Sequence, residues 1–316
     1  MVNKKIVCLG GGIGTVNLVK GLIAHTANIT VVVSMADDGG SAGRLRRLYD
    51  MPPPGDVVSC IKAMSQADEV MKSLLTFRFV GDRYGYDESL GGHKFGNLMM
   101  VALTSVTGSF SNGLTQMQKI FKTKGKILSA SVEPVSIWAE TSVGEKVYRE
   151  ENIDLGRFTG SIEKLHLKPV DPLVSKEVVK EIEEADLIIA GPGDLYSTIL
   201  PVLLISGIMD AVKKSKAKKL YVVNVANKLF ETPNYKVNDY VKAIANHCGS
   251  NIFDNLLMNN NIALSIPDKY KRQYEFVPLD YKKDSGYDVE ACNVVDAKFP
   301  LYHDSVKLAK AIMKKL

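Results

Sequence analysis

Residues 4–34 constrain this chain most. KKIVCLGGG is a short β-branched run that ends in glycines; Leu18, Leu22 and Ile23 then recur at helical spacing, and ITVVVS at 29–34 is a continuous apolar run of strand length. A strand apolar on both faces belongs in a parallel sheet covered by helices. The opening unit therefore reads as βαβ. Two further units follow: ADLIIAGPG with an apolar helix near 198–213, and KLYVVNV near 219–225 with a helix near 237–247. The pattern predicts an α/β fold, a Rossmann-like and mostly parallel sheet with helices on both faces.

Between these halves, 57–123 reads as largely helical. Residues 126–167 carry short Val-, Ile- and Ser-rich runs broken by Pro134 and Gly144, which suggests a few antiparallel strands. A length of 316 residues allows two domains, but the expected organisation is one composite domain. Its Rossmann-like core spans about 1–56 and 185–260, its helical and small antiparallel insertion about 57–184, and its closing region 261–316. The closing region should end in an amphipathic helix over 302–316 that buries Val306, Leu308, Ala309 and Ile312.

Composition removes several classes of function. With 46% hydrophobic and 24% charged residues, the chain lies outside the disordered range. Forty Lys+Arg against 35 Asp+Glu leave a net charge of only +5, and the one dense basic run, KKSKAKK at 213–219, follows an expected helix, whose negative end attracts cations. Nucleic acid is not an expected partner. Cys8, Cys60, Cys248 and Cys292 form no CxxC pair and read as reduced packing residues. The first residues offer too few apolar positions for a signal-peptide core. The most apolar window, Ile199–Val212, contains Pro201 and Asp210 and is shorter than the ~20 residues that span a bilayer. A cytoplasmic protein without membrane insertion is expected.

The chemistry is expected in loops that follow strands. Gly10, Gly11, Gly12 and Gly14, with Thr15 behind them, open the first helix, where bare backbone approaches an anion that a helix N-terminus already favours. A tight turn without a ligand explains them less well. The dinucleotide GxGxxG fingerprint is broken, because Thr15 or Asn17 stands where its last glycine should. After the second strand, Asp37 and Asp38 in ADDGGSAGRLRR can hold ribose hydroxyls or Mg²⁺; Gly39, Gly40 and Ser41 offer backbone, and Arg44 and Arg46 offer planar donors to phosphate. Helix capping is the alternative for the Asp pair, and it explains Asp56 at the end of MPPPGD equally well. GGHKFGN sets His93 and Asn97 among glycines. GPGDLYST repeats the strand, glycine turn and helix logic with Gly191, Pro192, Gly193, Asp194, Leu195 and a Tyr196 free to stack on a ring; Gly193→Val should abolish a ligand held between the two glycine turns.

GGGIGTVNLVKGL, ADDGGSAGRLR, MPPPGD, GHKFGN, GPGDLYSTILPVLL and NVANKLFETPNY, in this order, resemble the family of the gluconeogenesis factor YvcK and of CofD, the 2-phospho-lactate transferase, and lie nearer to YvcK. The resemblance implies a nucleotide-diphosphate pocket, which holds a UDP-sugar in YvcK-like proteins and a guanosine-diphosphate-linked acid in CofD, and it adds Asn224 and His303 to the ligand-binding set. CofD-like enzymes use Mg²⁺. This chain departs from the YvcK pattern at Val58, where Arg is usual, and at Asp194, where Ser is usual. It also departs at Tyr302, the Arg of an Arg-His pair, and in Lys228-Leu229-Phe230-Glu231-Thr232, where a polar-Pro-Gly-Glu-Thr loop is usual. Each of the first three is expected to alter the phosphate surroundings, with Mg²⁺ offsetting Asp194.

The resemblance implies a nucleotide-sugar-binding regulatory protein of carbon or cell-envelope metabolism. Its alternative is an Mg²⁺-dependent transferase of a phospholactyl-type group, with His93 as base and Asp37 or Asp38 on the metal. No organic cofactor is expected. The expected partners are a nucleotide diphosphate or nucleotide sugar and, in a homo-oligomer, a second copy of the chain. A dehydrogenase ranks last.

Overall fold

The two apolar runs at the start become strands β1 (Ile6–Gly10) and β2 (Ile29–Val33) in a computed structural model that describes residues 4–281 and 286–315. Every residue of both strands is buried. The remaining strands are β3 (Lys126–Ser129), β4 (Ser136–Thr141), β5 (Lys146–Tyr148), β6 (Ile162–Lys168), β7 (Leu187–Ala190), β8 (Lys218–Val222), β9 (Ala226–Lys228), β10 (Asn255–Asn259), β11 (Tyr274–Phe276) and β12 (Asp288–Cys292). Seven of them form one parallel sheet in the order β12-β10-β8-β7-β1-β2-β3. The chain builds outward from β1 through β2 to β3, then returns to β7 on the other side of β1 and builds the opposite way. The C-terminal ends of β1 and β7 therefore flank a topological switch point, the place where open α/β sheets leave a crevice.

The expected Rossmann-like fold is present, and the helical stretch is present as Gly55–Met64, Glu69–Thr76, Phe95–Thr107 and Phe110–Ile120. The small antiparallel sheet is present as well. It holds β5, β4 and β6, whereas 126–129 joins the main sheet as its parallel edge β3. Ile127 is fully buried there, and its outward N–H and C=O are both taken by the Gln118 side chain, so the edge is closed without another strand. The closing region likewise contributes β12 to the main sheet.

The apolar helix near 198–213 is broken. A π-type turn at Leu195–Ile199 leads into Leu200–Leu203, and Ser206–Lys214 follows at 72° to that unit; Pro201, which has no N–H to give, stands at the start of the short middle piece. No single helix among the described residues is long and apolar enough to cross a membrane. The closing helix, Ser305–Met313, buries Leu308, Ala309, Ala311 and Ile312 on helix Gly12–Leu22, but Val306 is 58% exposed because it falls off that face. The basic run behaves as a helix end, with Lys213 and Lys219 donating to the carbonyls of Cys248 and Ser215. All four cysteines are free, and burial pushes the Cys8 thiol up to about 12. Met1–Asn3, part of the segment read against a signal peptide, lie outside the described residues.

One buried carboxylate ties three elements of the sheet's β3 side together. Glu181 is 5% exposed, accepts from Thr30 Oγ1 at 2.8 Å, and pairs with Lys126 at 2.8 Å and Lys5 at 3.0 Å. Burial alone would raise its pKa, but the two ammoniums and the hydroxyl bring it down to about 2. A carboxyl lowered in the folded state adds stability above its unfolded pKa and loses it as pH falls toward the folded one. Glu181→Gln should therefore cost about 2 kcal/mol at pH 7, discounted for the exposed Lys126. In urea titrations that difference should shrink between pH 4.5 and 2, and a cost independent of pH would show that charge is not what Glu181 contributes.

Candidate functional site

The crevice at the switch point is built by two glycine turns in contact. Gly14 lies so close to the Pro192 carbonyl that a side chain at 14 has no room, and the Gly193 N–H donates to Asn224 Oδ1 at 2.9 Å, which locks the second turn. Beside the turns is a cavity of about 260 Å³ that includes Gly11, Gly12, Gly14, Pro192, Gly193, Asp194, Asn224 and His303. On the β2 side of the first turn is a second cavity of about 420 Å³, which includes Asp37, Gly39, Ser41, Asp56 and Asn97. Gly12 and Ile13 form a wall of both, and an acidic hollow of about 290 Å³ with Asp37, Asp56, Glu150, Asp154 and Asp194 joins them.

Burial controls the charges. Asp56 Oδ2 accepts the Gly12 N–H at 2.8 Å, so a carboxylate, rather than a phosphate, meets the start of the first helix. Burial raises the pKa of Asp56 against the pull of that N–H and of Lys94. Asp37 receives the Gly39 N–H at 3.0 Å and is raised to about 7, by burial first and then by Asp56; Glu150 is raised by burial and by Asp37. Carboxylates that raise one another gather negative charge in the hollow; among the described residues, the three placed to share one metal ion are Asp154, Asp194 and Glu231.

Several expected ligand residues have other work. Asp38 is 7% exposed and points away from both cavities: its Oδ1 accepts the Glu151 N–H at 2.9 Å, at the start of the short helix Glu150–Asp154, and its Oδ2 pairs with Arg149 at 3.2 Å. The capping alternative concerned the helix that follows the pair; Asp38 instead caps the distant helix Glu150–Asp154, and it is Asp37 that accepts the Gly39 N–H just before helix Gly40–Tyr49. Arg44 is 1% exposed and gives its guanidinium to the carbonyls of Asp82, Tyr86, Ser89 and Gly91, so it pins the loop that covers the site. Arg46 bonds Ser136 Oγ at 2.7 Å. Leu195 is core, and Thr15 is buried against Gly10 behind the glycine turn. Tyr196 is buried too, with its hydroxyl on Tyr235 at 2.8 Å and its backbone N–H on Glu231, so it stacks on no ring in the crevice.

His93 is withdrawn as the candidate base. It is 2% exposed, its Nδ1 sits 3.0 Å from Ser41 Oγ, and burial and nearby Arg44 lower its pKa. Ser41 also accepts from Asn97 Nδ2 at 3.0 Å and the Lys94 N–H at 3.3 Å, so its oxygen has no lone pair left for a substrate. His303 does border the smaller cavity; burial lowers its pKa to about 4, and its Nε2 has no partner among the described residues.

Sequence reading missed Lys228, Asp154, Glu150, Lys94, Arg78 and Arg83. The signal for Lys228 lay in the departures. Its ammonium bonds Asp154 and stands 3.4 Å from Asp194 Oδ2, among three carboxylates, Asp154, Asp194 and Glu231, close enough together to hold a metal. Lys228 is thus a cation placed to offset Asp194, and the unusual residues at 194 and 228 face each other. Val58 is 1% exposed in the core and borders neither cavity, whereas Tyr302 borders the smaller one, stacked on Phe299 at 5.1 Å.

The Asp pair should therefore separate in two assays. Asp38→Asn removes a cap and an ion pair and should cost about 1–2 kcal/mol of stability with ligand affinity unchanged. Asp37→Asn relieves a buried charge and should hold or raise stability while weakening ligand binding several-fold. Urea unfolding and titration calorimetry read the two effects, and the same pattern for both variants would overturn the assignment.

The family model described as 2-phospho-L-lactate transferase CofD matches residues 6–299. The chain is 36% identical to a gluconeogenesis factor of Halalkalibacterium halodurans over 99% of its own length and 97% of the relative's. It is 38% identical to that of Bacillus subtilis over 98% and 97%. The crystal structure of a UPF0052 family protein from Bacillus halodurans superposes with a TM-score of 0.91 at 35% identity, covering 99% of both chains. On a fold, a crevice and a match that run along the same residues, the chain belongs to the YvcK/CofD-like family, nearer to its gluconeogenesis factors.

Proposed function

We propose that this protein binds a nucleoside-diphosphate sugar in the crevice and reports its level as a regulator of carbon or envelope metabolism, without turning it over. The observation that carries this reading is the pair of abutting glycine turns at the switch point, which together form one wall of a cavity. Lys228 and Asn224 support it from below, and Tyr302 offers a ring face. The names of the relatives favour regulation, and the withdrawal of His93 removes the expected base.

A transferase is the second reading, favoured by Asp37. A carboxylate raised to about 7 at the junction of two cavities suits a general base or a ligand of Mg²⁺, which with Asp56 and Glu150 would neutralise charge developing on a transferred group. A thermal-shift panel of UDP-sugars, GDP and GTP derivatives and NAD(P), each with Mg²⁺ and with EDTA, tests the binding claim, since a ligand at 100 times its Kd stabilises by roughly 2.7 kcal/mol. A shift with one nucleotide sugar and no product on prolonged incubation supports the regulator. Product formation that Asp37→Asn abolishes establishes the transferase, and no shift with any nucleotide overturns both readings.

A further inference from the structure

Two neighbouring helices of the insertion leave an apolar face without a partner. Helix Glu69–Thr76 is 8 residues long and buries only Leu75, too little to hold so short a helix by packing. Its outer side instead carries Val70, 72% exposed, Leu74 and, just past the helix end, Phe77, 51% exposed, at a spacing that sets all three on one face. Helix Phe95–Thr107 contains no charged residue and has a second apolar stripe on its outer side, Phe95, Met99, Ala102 and Val106, the last of them 84% exposed. The two stripes meet at their aromatic ends. The Phe95 N–H donates to the Phe77 carbonyl at 2.8 Å, beside the antiparallel bridge of Arg78 and Lys94, which sets Phe77 and Phe95 opposite each other. Among the described residues nothing covers this face.

We propose that this face is the contact between two copies of the chain, related by a two-fold axis that passes close to Ala102. The exposed parts of Val70, Leu74, Phe77 and Val106 amount to about 400 Å² of apolar surface, the size that marks a contact face on a soluble monomer. Phe95, Ala102 and the polar rim bring this toward the roughly 800 Å² that each partner gives to a stable dimer. A second copy fits because the face can meet itself. Ala102, the small residue near the middle of helix Phe95–Thr107, lets two such helices cross closely, and an antiparallel crossing there lays Met99 of one copy on Val106 of the other. An anionic membrane fits less well, since helix Phe95–Thr107 has no cation to offer it and Glu69 and Lys72 of the shorter helix pair with each other. Asn97 lies on the opposite, buried side of the same helix, so the contact uses no residue of the crevice and does not depend on what the crevice binds.

Sedimentation equilibrium of the full chain tests it. The wild type should sediment as a dimer at low micromolar concentration. Phe77→Glu and Val106→Glu should each weaken the dimer about a hundredfold or more, because each charge enters a two-fold interface twice and finds no partner there. Val170→Glu, at a valine that is 86% exposed outside the face, should leave the dimer unchanged. Ala102→Cys should form a disulfide-linked dimer under mild oxidation where the wild type forms none, since the axis sets position 102 against itself. Circular dichroism establishes that the variants are folded, and two Glu variants guard against failure of one. A monomer at every concentration overturns the proposal, as does a dimer that survives both Glu variants or dissociates equally with Val170→Glu. A monomer that floats with phospholipid vesicles would give the face to a membrane and overturn it as well, and a dimer in which Ala102→Cys fails to cross-link would overturn the axis at Ala102.

Discussion

Gly14→Val is expected to abolish nucleotide binding and to destabilise the fold by about 3 kcal/mol, the upper end of what overpacking a tight contact costs. The reason is a backbone contact. A Cβ at position 14 would stand 2.7 Å from the Pro192 carbonyl carbon and closer still to its oxygen, neither of which can rotate away. Relief requires the two glycine turns to part, and their contact is what shapes the crevice. At Gly193, by contrast, a Cβ would meet only the ends of Ile199 and Thr198, at 3.1 and 3.2 Å, which are side-chain atoms able to shift. Gly193→Val should therefore be the milder change, the reverse of what the two turns suggest as motifs. Urea unfolding and the thermal shift with the best nucleotide of the panel measure both. Wild-type stability and an intact shift in Gly14→Val would mean that the turns are not pressed together.

Lys228→Met should be comparably severe, at about 3–5 kcal/mol, because it strips the cation from buried carboxylates. Lys228 is 8% exposed; it bonds Asp154, approaches Asp194, and has Glu231 beside it, a residue that burial and Asp194 already raise to about 8. The carboxylates hold the ammonium charged well above its ordinary pKa despite the burial that opposes it. Removing the cation leaves Asp194 and Asp154 in repulsion. The double variant Lys228→Met/Asp194→Ser deletes both members of the pair and should recover about 1–3 kcal/mol of the loss, a coupling that a double-mutant cycle in urea reads directly. Strictly additive losses would show that Lys228 and Asp194 do not compensate each other. The same cycle should show a divalent cation stabilising Lys228→Met more than wild type, since Asp154, Asp194 and Glu231 are then without their ammonium.

Much of the site was legible because it is written in backbone requirements. Glycines after β1 and after β7, each opening a helix, declare where chain and ligand approach closely, and the strands before them are apolar enough to be central. Asp37, Asp56, Asn97, Gly193 and Asn224 do meet in one crevice, and Lys94 stood in plain view within GGHKFGN. Arg78 and Arg83 carried no motif, because they lie in an irregular segment that reaches the cavity only when Arg44 gathers its carbonyls.

The βαβ units, the two glycine turns and the family are legible in the residues alone, because strand burial and turn geometry depend on residues a few positions apart. It could not determine the direction of a polar side chain. Asp37 and Asp38 are adjacent and identical, yet one faces the crevice while the other caps a helix more than a hundred residues away. Gln118 closed the sheet edge at β3, and Lys228 came to lie beside Asp194. A buried polar group takes whatever partner the fold brings within 3 Å, since leaving it unpaired costs more than any local preference, and that partner is known only when distant segments are packed.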